Sequence, residues 1–281
     1  MKNKPKHIII LGAGTVGSAL ANLLRPHIAQ ITLIDPDPAK NPTAPALDQT
    51  IAPASLYFIA VPTPSAPDGS ADTTQVQTAA AQIAQHINHC GTTNAIIVNR
   101  STCPPGTAEH LQTIITAHTS HTPALLAMPE FLRQNFADQD TLHPHRIIIG
   151  TGFNDFQAAS QFADLWRAIH KKTRPRIFLM SRRSAETFKH VANAMLAVRI
   201  AAVNELTDWA KTQGADPNDI YTKALGLDPR IGPIHASTGY QGACLPKDVT
   251  ALLKTTSAKA VPILSSAHAS NTERLRRAAS K

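Results

Sequence analysis

The stretch HIIILGAGTVGSALANLLRPHIAQITLID, residues 7–35, constrains this chain more than any other. A short apolar run ends directly in Gly12-Ala13-Gly14-Thr15-Val16-Gly17, and apolar positions at helical spacing follow at Leu20, Leu23 and Leu24. A second apolar run, Ile31-Thr32-Leu33-Ile34, then ends at Asp35. Strand, glycine turn, helix, strand and terminal acid, in that order, make a dinucleotide-binding βαβ unit. Gly12 permits the tight turn, Gly14 lets the backbone approach a pyrophosphate, and Gly17 lets the helix pack closely on the strand. The first helical turn, with Thr15 and Val16, offers unpaired amides to phosphate. Asp35 is placed to accept hydrogen bonds from both ribose hydroxyls, which favours NAD over NADP because a 2′-phosphate would meet its charge.

The rest of the first half repeats this grammar. Residues 35–53 are rich in Pro, Ala and Asp and read as a loop over a sheet edge. LYFIAV (56–61) reads as a strand ending in Pro62-Thr63-Pro64. NAIIVNRST (94–102) reads as another, ending at Ser101-Thr102 before Pro104-Pro105-Gly106-Thr107 turns the chain into a helix. HRIIIG (145–150) and RIFLM (176–180) supply two later strands. Strands alternating with helical segments predict a mostly parallel sheet with helices on both faces. Ligands of such sheets lie beyond the carboxyl ends of the strands, which makes Pro62, Thr63, Ser101 and Thr102 cleft residues.

From Ser184 the pattern becomes helical. Residues 184–214 carry a capping serine, an acid in the first turn and apolar positions at helical spacing, ending at Gly214. Lys189 and Asn193 are four apart and share a face. Taken alone, that pair fits a solvated helix surface as well as a cleft. A second helical block is expected from Lys247 to Ala279, with Asp248 capping it or lying just before it. Ahead of it stands GYQGACLPKD, residues 239–248. A thiol near a helix N-terminus and basic groups has its thiolate favoured, so Cys244 reads either as a nucleophile or as an inert core thiol. The fold class is thus α/β: a Rossmann-type NAD-binding domain over residues 1–180, then an all-helical domain over 181–281.

Composition removes several alternatives. The three cysteines, Cys90, Cys103 and Cys244, are widely spaced, so neither a disulfide framework nor a zinc site is indicated. The 13 histidines are scattered and read as solvent-facing, with no metal expected. A formal charge of +8 can steer anionic ligands. No Arg/Lys stripe interleaved with aromatics marks a nucleic-acid surface, and the basic clusters at 171–176 and 274–277 read as solvated faces. The apolar part of the N-terminus MKNKPKHIIILGAG is short and runs into a glycine turn, so it reads as a strand and not a signal peptide. No apolar run reaches the roughly 18 residues of a membrane span, so a cytoplasmic protein with no membrane partner is expected.

Several separate segments together resemble the UDP-glucose/GDP-mannose dehydrogenase family, in the family's order. They are GxGxVG at 12–17, VPTP at 61–64, STCPPGT at 101–107, PEFL at 129–132, the Lys189/Asn193 helix ending in Asn204-Glu205, DPRIG at 228–232 and CLPKD at 244–248. The resemblance implies an NAD-dependent enzyme that oxidises a primary alcohol, on a sugar, nucleoside or nucleotide sugar, to a carboxylate in two hydride transfers. By similarity Cys244 is the nucleophile, trapping the aldehyde as a thiohemiacetal that becomes a thioester and is hydrolysed. Lys189 and Asn193 then surround the developing oxyanion. Asp248 and Thr102 match positions that hold or activate water, with Glu130 a further acid/base candidate. Val61, Pro62, Thr63, Ser101 and Thr102 match the cofactor cleft. Glu130, Phe131, Leu132, Tyr240, Gln241 and Gly242 match the substrate side. Arg230 matches an arginine that reaches a neighbouring subunit's site, implying a homodimer built on the long helix.

Two departures bear on the substrate. Family members continue into a further nucleotide-sugar-binding domain, whereas this sequence stops at NTERLRRAASK, so a short form is expected, with a smaller substrate or a partner supplying the missing wall. Gln241 also stands where the family has a glycine, and Gln134-Asn135 replace a usual Glu-Gly. An alternative reading is therefore a catalytically inactive dimeric homologue that binds nucleotide and partners a full-length enzyme.

Overall fold

A computed structural model describes residues 5–40, 42–48, 51–232, 235–242 and 244–280. The chain divides into two units, Met1–Pro64 with Asp72–Lys189, and Ser65–Ala71 with His190–Lys281.

The first unit is built on a sheet of β1 (His7–Leu11), β2 (Gln30–Ile34), β3 (Leu56–Ile59), β4 (Ile96–Asn99), β5 (Ala124–Ala127), β6 (Arg146–Thr151) and β7 (Arg176–Ser181). Its order is β2-β1-β3-β4-β5-β6-β7, parallel throughout except for β5 against β6. The helices are α1 (Thr15–Leu24), α2 (Thr74–Cys90), α3 (Thr107–His118), α4 (Ala137–Leu142) and α5 (Phe156–Ile169). Strand alternation splits the apolar residues into two cores. Ile8, Ile10, Phe58, Val98 and Leu126 pack with Leu20, Leu24, Phe162 and Trp166 of α1 and α5. Ile9, Leu11, Tyr57, Ile59 and Ile97 pack with Ile83, Ile87, Leu111 and Ile115 of α2 and α3. Central strands buried on both faces explain runs such as Ile8-Ile9-Ile10. Each such side chain contributes about 1.5–3 kcal/mol of burial.

Several details correct the sequence reading. Strand β3 stops at Ile59, short of Val61, because Pro62 has no N–H to extend a ladder. Strand β5, over the short run ALLA, was not anticipated. The histidines are not all solvent-facing, since His7, His86, His170 and His190 are buried. His7 Nε2 lies 2.8 Å from Thr32 Oγ1, and the His86 ring lies 3.1 Å from the Tyr57 hydroxyl and 3.0 Å from the Ile51 carbonyl. Burial pushes the His170 pKa down to about 4, keeping it neutral at physiological pH.

Helix α6 (Arg182–Thr212) runs without a break over 31 residues. It begins two residues before Ser184, and the cap is Ser181, whose Oγ accepts the Ser184 N–H at 3.1 Å. Gly214, at φ +72°, closes its far end with the Ala215 N–H on the Ala210 carbonyl. The expected single block after Lys247 is two helices, α7 (Leu245–Lys254) and α8 (Pro262–Ala279). Pro262 cannot continue a helix from within but is well suited to start one. Asp248 is neither a cap nor outside the helix. It lies in the first turn of α7, and Cys244 holds the N-cap position. Ala197, Tyr240, Val249 and Leu264 form the core of this second unit. Among the described residues no helix is long and apolar enough to cross a membrane.

Candidate functional site

The glycine turn of the first unit fits a bound dinucleotide. Gly12 sits at φ +103°, and a Cβ there would stand 2.4 Å from the Ala60 carbonyl oxygen. A Cβ on Gly17 would stand 1.8 Å from the Gly12 carbonyl oxygen. Both glycines are therefore demanded by the close approach of α1 to β1 and β3. Gly14 is different: a Cβ there would meet nothing within 4 Å, leaving its backbone open to a ligand at the start of α1.

Asp35 accepts the Ala13 N–H at 2.9 Å and the Asp37 N–H at 3.0 Å, while Lys40 Nζ lies 3.1 Å from its carboxylate. Burial works to raise its pKa, but these donors outweigh burial and hold the carboxyl below its usual value. Lys40 shares the charge of Asp35, which weakens the electrostatic argument against a 2′-phosphate.

The loops after β3 and β4 are stitched together. Ser101 Oγ donates to the Val61 carbonyl at 2.6 Å, and Thr63 Oγ1 donates to the Thr102 carbonyl at 2.8 Å. Val61, Pro62, Thr63, Ser101 and Thr102 thus form one lip at the carboxyl ends of two neighbouring strands.

In the same unit Lys189 Nζ lies 3.0 Å from Glu130 Oε1, with both side chains nearly buried. Glu130 Oε2 also accepts the Leu132 N–H at 2.6 Å, and the Lys189 ammonium lies 5.3 Å from the centre of the Phe131 ring. Phe131 stands edge-on to Phe188 at 5.5 Å. A second cation, Arg100, is also buried. Burial brings its pKa down to about 10, while the negative charge of Glu130 opposes that fall.

The second unit holds its own polar cluster. Asn193 Nδ2 donates to Asp248 Oδ2 at 2.6 Å, and Lys247 Nζ lies 2.8 Å from Asp248 Oδ1 as an ion pair. Asp248 is 2% exposed, so these contacts offset the cost of burying its charge. Cys244 is exposed at the start of the same helix. Gln241 and Gly242 are exposed, with Gly242 at φ +87°. Tyr240 is buried, its hydroxyl 3.0 Å from His268 Nδ1 and its N–H on Asn271, so its side chain belongs to the core. Burial raises its pKa to about 12. Arg230 is exposed and pairs with Asp228 at 2.6 Å.

Two charged residues of these clusters, Lys40 and Arg100, were missed from the sequence. Arg100 stands beside Ser101 at a strand end, and that position was a signal. Among the described residues no group of three or more His, Cys, Asp or Glu is arranged to hold a metal.

Residues 42–170 match the UDP-glucose/GDP-mannose dehydrogenase family, NAD binding domain, and residues 183–273 match the central domain of the same family. The chain is 36% identical over 221 residues to the UDP-glucose 6-dehydrogenase of Rhizobium meliloti, covering 77% of this chain and 49% of that protein. It is 37% identical over 225 residues to the enzyme of the same name from Pseudomonas aeruginosa, covering 78% and 48%. Among solved structures, a UDP-glucose dehydrogenase from Pyrobaculum islandicum superposes with a TM-score of 0.82 at 27% identity, covering 97% of this chain and 68% of that one. The chain spans about half the length of the curated relatives it matches.

Proposed function

Because the chain belongs to the UDP-glucose/GDP-mannose dehydrogenase family and carries its NAD-binding and central domains, we propose that it oxidises a primary alcohol to a carboxylate with two NAD per turnover. A nucleotide sugar is the substrate class that the relatives' names favour. The observation that carries this reading is the cluster around α7. Cys244 is exposed at its N-cap, and one turn on, the buried Asp248 is held by Asn193 and Lys247.

NAD, when bound, accepts a hydride in each of two steps. The first step takes hydride from the alcohol carbon and a proton from its oxygen, giving an aldehyde. The Cys244 thiolate adds to that carbonyl carbon and the oxygen takes up a proton; the hydroxyl-bearing carbon then yields the second hydride as its hydroxyl gives up that proton, leaving a thioester. Water then cleaves the carbon–sulfur bond, releasing acid and thiol. A thiol suits this task because it holds the aldehyde while reduced cofactor is exchanged. Lys189 and Asn193, one turn apart on α6, are assigned to the oxyanion of the adduct, and Asp248, Thr102 and Glu130 to water and proton handling. Gly12, Gly14 and Gly17 with Thr15, Val16, Asp35 and the Val61–Thr102 lip are assigned to the cofactor. A homodimer through α6 is supported by its exposed Val191, Met195, Leu206 and Trp209.

The test is NADH formation by the purified chain against UDP-sugars, sugar phosphates and nucleosides. Turnover with a carboxylate product supports the reading. Failure on every alcohol, with NAD binding intact, favours a nucleotide-binding homologue without catalysis.

A further inference from the structure

Glu186 has no place in the chemistry above, yet it is among the most buried acids of the sheet unit, at 5% exposure. Its Oε2 accepts the Gly106 N–H at 2.7 Å and its Oε1 accepts the Ala108 N–H at 2.8 Å. The N–H between them, on Thr107, donates to the Pro104 carbonyl. The first donors of α3 are thereby consumed, two of them by a single carboxylate reaching across from α6. An anion site of the kind that binds phosphate elsewhere is filled here by the protein itself.

The turn so anchored is the one that carries Ser101 and Thr102. Its other end is tied to the loop after β3 through Ser101 on Val61 and Thr63 on Thr102. Pro104 and Pro105 have no N–H groups with which to hold the turn. A small cavity lined by Asn99, Ser101, Thr102, Cys103, Glu186 and Lys189 lies beneath it. Glu186 and Lys189, three apart on one helix, border that cavity together.

We propose that Glu186 is a positioning residue: its carboxylate fixes the Ser101–Thr102 lip against the helix segment that bears Lys189, and so sets the shape of the cofactor cleft. The role rests on the cofactor reading given above. The hold weakens when the carboxylate is protonated, because a neutral acid no longer offers two strong acceptors to two N–H donors. Burial raises the Glu186 pKa to about 7, opposed by the Gly106 and Ala108 amides. Glu109 on α3 adds repulsion, Arg183 on α6 adds attraction, and Lys189 and the Cys103 thiol border the same cavity.

The experiment compares wild type, Glu186→Gln and Glu186→Asp by amide exchange at Gly106 and Ala108, corrected for intrinsic rates, and by NAD titration between about pH 6 and about pH 8. In wild type both amide protection and NAD affinity are expected to rise roughly tenfold across that interval, the scale of one hydrogen bond to a charged group. Glu186→Gln should be low and flat in both, and Glu186→Asp should keep the pH dependence at a reduced level. Identical pH profiles in wild type and Glu186→Gln overturn the proposal. So does loss of amide protection with NAD affinity unchanged, which would make Glu186 an anchor and nothing more. If none of the proteins binds NAD, the cofactor reading itself fails, and positioning of a cofactor cleft falls with it whatever the amides show.

Discussion

Lys189 and Glu130 form an ion pair at 3.0 Å with only 7% and 10% of their side chains exposed. Removing one partner strands the other in a nearly dry site, at a cost of about 3–5 kcal/mol, whereas removing both costs far less. Lys189→Met is therefore expected to destabilise the chain by about 3 kcal/mol in urea unfolding, and adding Glu130→Gln should restore much of that. Equal and additive losses would show that the pair is not coupled. On the proposed function, Lys189→Met also lowers kcat by about 100-fold or more, the scale of losing one oxyanion donor.

Glu186 gives stability a sign with pH. Its pKa is raised by burial from 4.5 to about 7 in the folded chain. The folded state then binds the proton more tightly than the unfolded state. This contribution is fully present below about pH 4.5 and is lost as pH rises to about 7. Relative to Glu186→Gln, wild type should lose up to about 3 kcal/mol over that window in denaturant titrations. Unfolding solvates the carboxylate, so global stability moves opposite to the local hold on Gly106 and Ala108, which is released with the carboxylate still buried; a global stability difference that grows in wild type's favour with rising pH would contradict the raised pKa.

The two outer glycines of the fingerprint and its middle one should behave differently. Gly12→Ala places a Cβ against the Ala60 carbonyl at a φ that side chains rarely adopt, and is expected to cost about 2–3 kcal/mol. Gly14→Ala meets nothing within 4 Å, so melting should hardly change while NAD affinity falls. A stable Gly12→Ala, or a Gly14→Ala with unaltered NAD binding, would count against the cradle described here.

Lys40 tempers the charge of Asp35. The pair is part-exposed, with Lys40 39% exposed, so Lys40→Ala should change stability by less than about 1 kcal/mol. It should widen the preference for NAD over NADP, because Asp35 then faces a 2′-phosphate without compensation. The check is the ratio of the two dissociation constants, which stays fixed if Lys40 plays no part.

What could be read from the sequence was what is local. The glycine turn, its flanking strands and Asp35 are specified by neighbours within residues 7–35, and the structure has them in that order. The long helix was legible from its apolar period, although its cap lies at Ser181 and not Ser184. The break between α7 and α8 was signalled by Pro262 and overridden by an otherwise helical composition. β5 escaped because four small apolar residues carry no period of their own. Arg100 and Glu186 depend on contacts that only the folded chain creates; Glu186 meets Gly106 and Ala108 across about 80 residues. The buried histidines follow the same logic, since His86 is held by Tyr57 and Ile51 from other elements.

On the proposed mechanism, Cys244 carries the oxidation past the aldehyde. The most direct measurement is the ratio of NADH formed to substrate consumed, with product analysis, for wild type and Cys244→Ala on an alcohol that wild type turns over. Two NADH and a carboxylate are expected for wild type, and at most one NADH with no thioester-derived acid for Cys244→Ala. Two NADH and a carboxylate from Cys244→Ala would contradict the mechanism.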